Sequence, residues 1–238
     1  MGSGSLPPGL SLTGAGAVSG TPAQSGQWAA TIRLADSLGV TVSRTLTFVV
    51  GVALDTAIQA VRATDLPYTY RTGCPVAPSG LRRLTVNQIG FDGKYYRGEL
   101  IVRDLVVTDL TSVLQRAFDA KFPTRRMERV DVHRGSDERS MAADNTSAFN
   151  CRHVTGNPAR LSQHSYGDAV DINTVENPYV TASRVYPPGS RSYLNRSRYR
   201  TGMILPGGSV AKSVAARRWY WGARWKNPDY QHFSKNGK

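Results

Sequence analysis

From Trp28 onward, apolar and polar side chains alternate. Trp28, Ala30, Ile32 and Leu34 fall on one side, with Ala29, Thr31, Arg33 and Ala35 between them. This period of two predicts a half-buried strand. Residues 36–39 (DSLG) supply a turn, and Val40, Val42, Leu46, Phe48 and Val50 resume the alternation. Arg44 interrupts it, which marks an edge strand or a bulge. A β-hairpin is therefore predicted. Later the period changes. Residues 98–104 (GELIVRD) read as a strand, whereas Leu110, Val113, Leu114 and Phe118 recur at helical spacing behind Asp109, a candidate N-cap. That helix is predicted to stop before Phe122 and Pro123. Short strands are predicted over 129–133 and 169–173, and a second helix from Ser209 to about Trp219 with Val210, Val214 and Trp219 inward. Helices and strands without a regular βαβ rhythm give an α+β fold class: mixed helix and antiparallel sheet, with a small all-β segment in front. Residues 174–208, rich in Pro, Gly, Ser, Arg and Tyr, are expected to form a rim or lid.

Composition changes where the period does. Of 238 residues, 40% are hydrophobic and 20% charged, so a packed core is expected. Residues 1–54 carry two of the 30 Lys and Arg and one of the 17 Asp and Glu; the rest of the net +13 lies beyond them. The expected organisation is a β module over 1–53, a linker over 54–66 and the main domain over 67–238. The longest apolar run, residues 48–54, is seven long. A membrane span needs about 20, so transmembrane anchoring is excluded. No signal peptide is visible after Met1, and the expected readings are a truncated or incomplete N-terminal sandwich or a fragment of a longer secreted protein. The two cysteines, Cys74 and Cys151, are too few for a disulfide scaffold or a four-thiolate zinc module. One bridge between them would be worth about 3–5 kcal/mol and would imply an oxidising, exported setting. The other reading is two reduced, buried thiols.

The chain has four histidines. His164 lies in SQHSYGDAVDIN, residues 162–173. On a strand, Val170 and Ile172 point into the core and Asp171 points to the other face. Gly167 lets the chain between His164 and Asp171 turn back tightly. His232 lies in DYQHF, with the Asp229 carboxylate three residues before it. Two imidazoles and one carboxylate leave a fourth position of a tetrahedral zinc ion open to water, the catalytic rather than the structural arrangement. Zinc would bring that water's pKa to about 7. Asp229 could then take its proton and return it to a leaving amine, and Arg152 is a candidate for holding the developing oxyanion. Taken singly, Asp171 reads as a turn-binding carboxylate and His164 as a core histidine; Arg152 could simply pair with Asp137 or Asp144.

Four motifs in order, SMAADNTSAFNCR at 140–152, SxHxxGxAxD at 162–171, WGARW at 221–225 and DYQHF at 229–233, resemble the D-alanyl-D-alanine carboxypeptidase-like zinc peptidases. The resemblance spans about residues 68–235. It implies His164, Asp171 and His232 as zinc ligands, Asp229 as general base, and Arg152 as the residue that polarises the scissile carbonyl or clasps a substrate carboxylate. Ser162 and Tyr166, which flank His164, are candidate substrate contacts. Ala223 departs from the family, which often has a second glycine there, and His133 stands where an aromatic is expected. Earlier in the chain, residues 5–50 (with LPPGLSL and SGTP) resemble the immunoglobulin-like repeats of bacterial surface proteins, though without some of their strands.

The resemblance implies zinc-dependent hydrolysis of an amide in peptidoglycan stem peptides, of the D-alanyl-D-alanine carboxypeptidase type. The alternatives are an L-alanyl-D-glutamate endopeptidase and a non-catalytic, zinc-containing wall-binding module; a binding module would have no use for Asp229. Secretion or wall association follows. Residues 177–228 hold ten Lys and Arg and no acid, interleaved with Tyr179, Tyr186, Tyr193 and Tyr199. Such a face suits an anionic wall polymer. A nucleic-acid groove is disfavoured because no nucleic-acid-binding motif accompanies it.

Overall fold

The computed structural model describes residues 1–154 and 157–237 and divides into two units, Met1–Ala53 and Leu54–Lys238. In the first, strands β1 (Gly26–Ala35) and β2 (Thr41–Val50) pair antiparallel, with Trp28 opposite Phe48 and Ala30 opposite Leu46. Asp36 closes the turn: its Oδ1 accepts the N–H groups of Leu38 and Val40, both at 2.9 Å. Residues Ser3–Gly4 pair with the other side of β1, which leaves β2 at the edge. Arg44 stands opposite Ile32 in unbroken register, so it marks an edge and not a bulge. The alternation does not mark a well-buried face. Leu34, Val42, Leu46 and Val49 are exposed, because one three-stranded sheet and the short hairpin Leu10–Leu12 with Val18–Gly20 are too few strands to cover it.

The second unit opens with an antiparallel sheet of β3 (Ala57–Ala60), β4 (Leu81–Ile89) and β5 (Tyr95–Arg103), with β4 in the middle. Residues 54–66, expected as a linker, are thus part of this unit. Leu54, Val61 and Leu66 are buried, and β3 pairs with β4 from Ala57 opposite Thr85. Helix α1 (Val107–Asp119) buries Val107, Leu110, Val113, Leu114 and Phe118, each burial worth about 1.5–3 kcal/mol. Asp109 is not its N-cap. It sits in the first turn and instead accepts from Lys235 Nζ at 2.7 Å and Trp219 Nε1 at 3.3 Å. Residues Val130–His133, expected as a strand, form a 3-10 turn. The Asp131 carboxylate enforces it by accepting from Tyr68 N (2.9 Å), Thr69 N (3.1 Å) and Thr69 Oγ1 (2.6 Å). Helix α2 (Asp137–Ala142) follows, capped by Ser136 Oγ.

Cys74 and Cys151 form a disulfide with their Cα atoms 6.0 Å apart. It packs against a core of Val61, Leu66, Val76, Leu81, Ile101 and Phe149. A second small sheet carries β6 (Ala169–Asp171), β9 (Tyr220–Trp221) and, between them, β10 (His232–Ser234). The stretch 174–208 contains a two-rung hairpin of β7 (Tyr179–Val180) and β8 (Val185–Tyr186) and is tied down by Arg196. That guanidinium donates to Glu176 O at 2.7 Å, Asn177 Oδ1 at 2.9 Å and Ile204 O at 2.8 Å. Helix α3 (Ser209–Ala216) buries Val210 and Val214, and Trp219 is buried just past its end. Helices with mainly antiparallel pairing make the unit α+β; Arg126–Met127 and Asn145–Thr146 pair in parallel.

Candidate functional site

Strand register assembles the first half of the site. In the antiparallel pair of β6 and β10, Val170 stands opposite Phe233 and Asp171 opposite His232. Successive residues of a strand face opposite ways. Val170 and Phe233 therefore fill the core while Asp171 and His232 share the other face. His232 Nδ1 lies 3.0 Å from Asp171 Oδ1.

His164 arrives from a 3-10 turn, Gln163–Tyr166, whose N-cap Ser162 accepts the His164 N–H. Gly167 ends the turn at φ +69°, and a Cβ there would meet Arg103 N at 2.8 Å and Leu81 Cδ2 at 3.0 Å. The glycine thus permits both the left-handed turn and the close passage over β5. The ring is set from behind, with Nδ1 2.6 Å from the Ala148 carbonyl oxygen. A carbonyl only accepts, so that nitrogen carries the proton and Nε2 presents a lone pair. Nε2 lies 3.2 Å from Asp171 Oδ2 and 3.2 Å from His232 Nδ1.

A lone pair facing a carboxylate oxygen calls for a positive charge between them. A proton is one solution. Burial lowers the His164 pKa, but the Asp171 carboxylate outweighs it, and the net direction is upward. Burial likewise raises the Asp171 pKa, yet His164 and His232 reverse this and hold it far below the usual carboxylate range. A divalent cation is the other solution. One donor atom from each residue lies within 4.8 Å of the others, and the two imidazole nitrogens, 3.2 Å apart, approach the edge of about 3.3–3.4 Å of a tetrahedron with metal–ligand bonds of about 2.0–2.1 Å, while Asp171 meets each of them through a different oxygen. The second-atom contact of His164 is of the kind that orients metal-binding imidazoles. The donor set fits a borderline divalent metal.

Asp229 lies beside this cluster. Gly222 lets the chain approach it, since a Cβ there would meet Asp229 O at 2.8 Å, and Asp229 N donates back to Gly222 O at 3.0 Å. Asp229 Oδ1 is buried without a hydrogen-bond partner among the described residues. Burial, then the negative charge of Asp171, push its pKa up to about 7. Arg152 pairs with Asp137 through Nη2 at 2.8 Å and donates from Nη1 to His153 O at 3.1 Å, while its Nε is buried and unpartnered among the described residues. The ion pair weighed from the sequence is thus made, with Asp137 and not Asp144, which pairs with Arg125.

A cleft of about 670 Å³ collects Arg152, Ser162, His164, Asp171, Asp229 and His232 on one wall system. Tyr166 is the exception among the candidate contacts. It packs against the core around the disulfide, because two residues on from His164 it leaves the 3-10 turn on another side. Cys151 is in the disulfide and His153 is exposed. Sequence reasoning gave no site role to Gln231, buried between Asp229 and His232, or to Arg160 in the cleft, which Lys226 and Trp225 also line. Trp225 stands 5.2 Å from the His232 ring, and Tyr179 stacks on Tyr186 at 5.9 Å. The cross-strand pairing of β7 and β8 aligns those tyrosines, and no local signal in the sequence announces so short a hairpin.

Residues 155–235 match the family model described as D-alanyl-D-alanine carboxypeptidase, a stretch that includes His164, Asp171, Asp229 and His232. Residues 1–51 match a model described as "Putative Ig domain". No curated protein and no solved structure matches the chain. Three of the four motifs fall inside the first match: residues 155–235 are similar to the D-alanyl-D-alanine carboxypeptidase family of peptidases, and residues 1–51 to an Ig-like segment.

Proposed function

We propose that the second unit is a zinc peptidase that hydrolyses an amide bond in the peptide stems of peptidoglycan, of the D-alanyl-D-alanine carboxypeptidase type. The observation that carries this reading is the meeting of three metal-competent donors with an unpartnered, buried carboxylate oxygen in one cleft. His164, Asp171 and His232 would hold the ion. Zinc bound there supplies Lewis acidity, which acidifies a water and polarises a carbonyl oxygen. Asp229 does the proton work: its Oδ1 accepts the proton of the attacking water and returns it to the departing amine. A carboxyl group raised towards neutrality by its surroundings suits both transfers. Arg152 has a donor to spare in Nε while Asp137 holds its fork, and it stabilises charge on the carbonyl oxygen or clasps a substrate carboxylate. The disulfide and the wall-acting family favour an exported, wall-associated protein.

The test is digestion of purified peptidoglycan by the full chain, with zinc and with a chelator, followed by mass spectrometry. Released D-alanine supports the carboxypeptidase reading, and freed stem fragments would replace it with the endopeptidase one. A protein that holds zinc stoichiometrically and releases nothing is a binding module, and the proposal fails.

A further inference from the structure

A second cavity of about 490 Å³ adjoins the cleft, and the two share Met141 and Tyr186 in their walls. Helix α2 supplies one side of it with Glu138 and Met141. Strand β8 and the turn after it supply the other, with Tyr186, Pro187 and Arg191, and Arg184 stands just before β8. Val185, Pro187 and Met141 are buried, whereas Arg184, Arg191 and Glu138 are exposed. The cavity therefore has an apolar floor and a charged rim with two guanidinium groups against one carboxylate.

Arg125, Arg129 and Arg152 have carboxylate partners, whereas the arginines of the stretch from Arg184 to Arg200 have none among the described residues. Arg184 and Arg191 are among them, so their charge is available to an incoming anion. A guanidinium beside an apolar surface binds a carboxylate carried on a short methylene stem through both its fork and the stem. Size points the same way. Cavities of about 300–1,000 Å³ hold a drug-sized ligand, so the cleft alone accommodates a short peptide, and the adjoining space takes residues further from the bond that is cut.

We propose that this cavity is a distal substrate pocket in which Arg184 and Arg191 bind a carboxylate of the same peptide, at a residue beyond those flanking the scissile bond. The pocket makes the protein selective for an extended anionic peptide over a neutral or dipeptide substrate. This inference rests on the proposed function for the identity of the peptide, but binding can be measured without turnover.

The experiment compares a synthetic stem pentapeptide with the same peptide whose glutamate carboxylate is an amide, using D-alanyl-D-alanine as the short ligand. Calorimetry on the full chain carrying Asp229→Ala reads affinity, and steady-state kinetics on the unmodified chain reads turnover. The carboxylate peptide is expected to bind about tenfold more tightly than the amide, the scale of one charged hydrogen bond. That preference should vanish in Arg184→Ala/Arg191→Ala, with KM raised and kcat unchanged, while dipeptide affinity stays the same. Glu138→Gln, which removes the opposing charge, should widen the preference. Equal affinity for the two pentapeptides, or a preference that survives the double substitution, overturns the proposal. Selective binding without any cleavage would leave the pocket standing and refute the peptidase assignment.

Discussion

Reducing the Cys74–Cys151 disulfide should destabilise the second unit by an amount the chain separation sets. The cysteines are 77 residues apart. In chain-entropy terms, freeing a loop of that length returns about 4.5 kcal/mol of conformational freedom to the unfolded ensemble. For a unit of this size each kcal/mol moves Tm by about 2–4 °C, so reduction should lower it by about 9–18 °C. Reduction changes no packing volume apart from two added hydrogens, which isolates the loop term. Cys74→Ala/Cys151→Ala adds a packing loss of the same sign, since Cys151 is buried beside Phe149 and Ile101. Scanning calorimetry of the full chain, with and without reductant, reads both. A fall below about 3 °C in each arm would refute the reasoning, because it would mean that the unfolded chain gains little freedom when the link opens.

Three other perturbations probe the site and its surroundings. Asp229→Ala should retain stoichiometric zinc and lose at least about 100-fold in turnover, the scale of a missing general base; near-normal activity would remove Asp229 from that role. His232→Ala should lose the metal in elemental analysis while its far-ultraviolet circular dichroism stays unchanged, and undiminished zinc content would break the ligand assignment. Glu176 is pushed up from 4.5 to about 8, first by burial and then by Asp144 beside it. Its folded form keeps a proton that the unfolded chain gives up, so stability should fall as pH rises from about 4.5 to about 8 and level off above that. Glu176→Gln cannot ionise and should flatten that fall in urea titrations across the range; an unchanged slope would contradict it.

The shared face of Asp171 and His232 was legible because its signal is local. Val170 and Ile172 flanking Asp171 announce which way the carboxylate faces, and that is the face on which β10 presents His232. The stripe of α1 was legible for the same reason. What escaped depended on distant partners. Asp109 has the right type for a cap, but Lys235 and Trp219, more than a hundred residues on, claim it. Residues 130–133 alternate like a strand, but Asp131 is held by the backbone of Tyr68 and Thr69. Strand β4 hides its buried Leu84 and Val86 among Arg82, Arg83 and Asn87, polar residues that read as surface. The apolar alternation of β1 and β2 forecast their pairing correctly and their burial wrongly, since period alone does not tell what covers a face.

The donors and the cleft walls are carried by different kinds of backbone. Asp171 and His232 are fixed by direct cross-strand register, so deleting a single residue within β6 or β10 would rotate one of them into the core and abolish the centre. Strand β7 is itself bridged to Asp229 through Tyr179, but the hairpin's turn at residues 181–184 meets no such demand. Loop grafting at that turn is therefore the natural route to retargeting the protein, because a library there can redraw what enters the cleft while the cross-strand register of Asp171 and His232 is inherited intact.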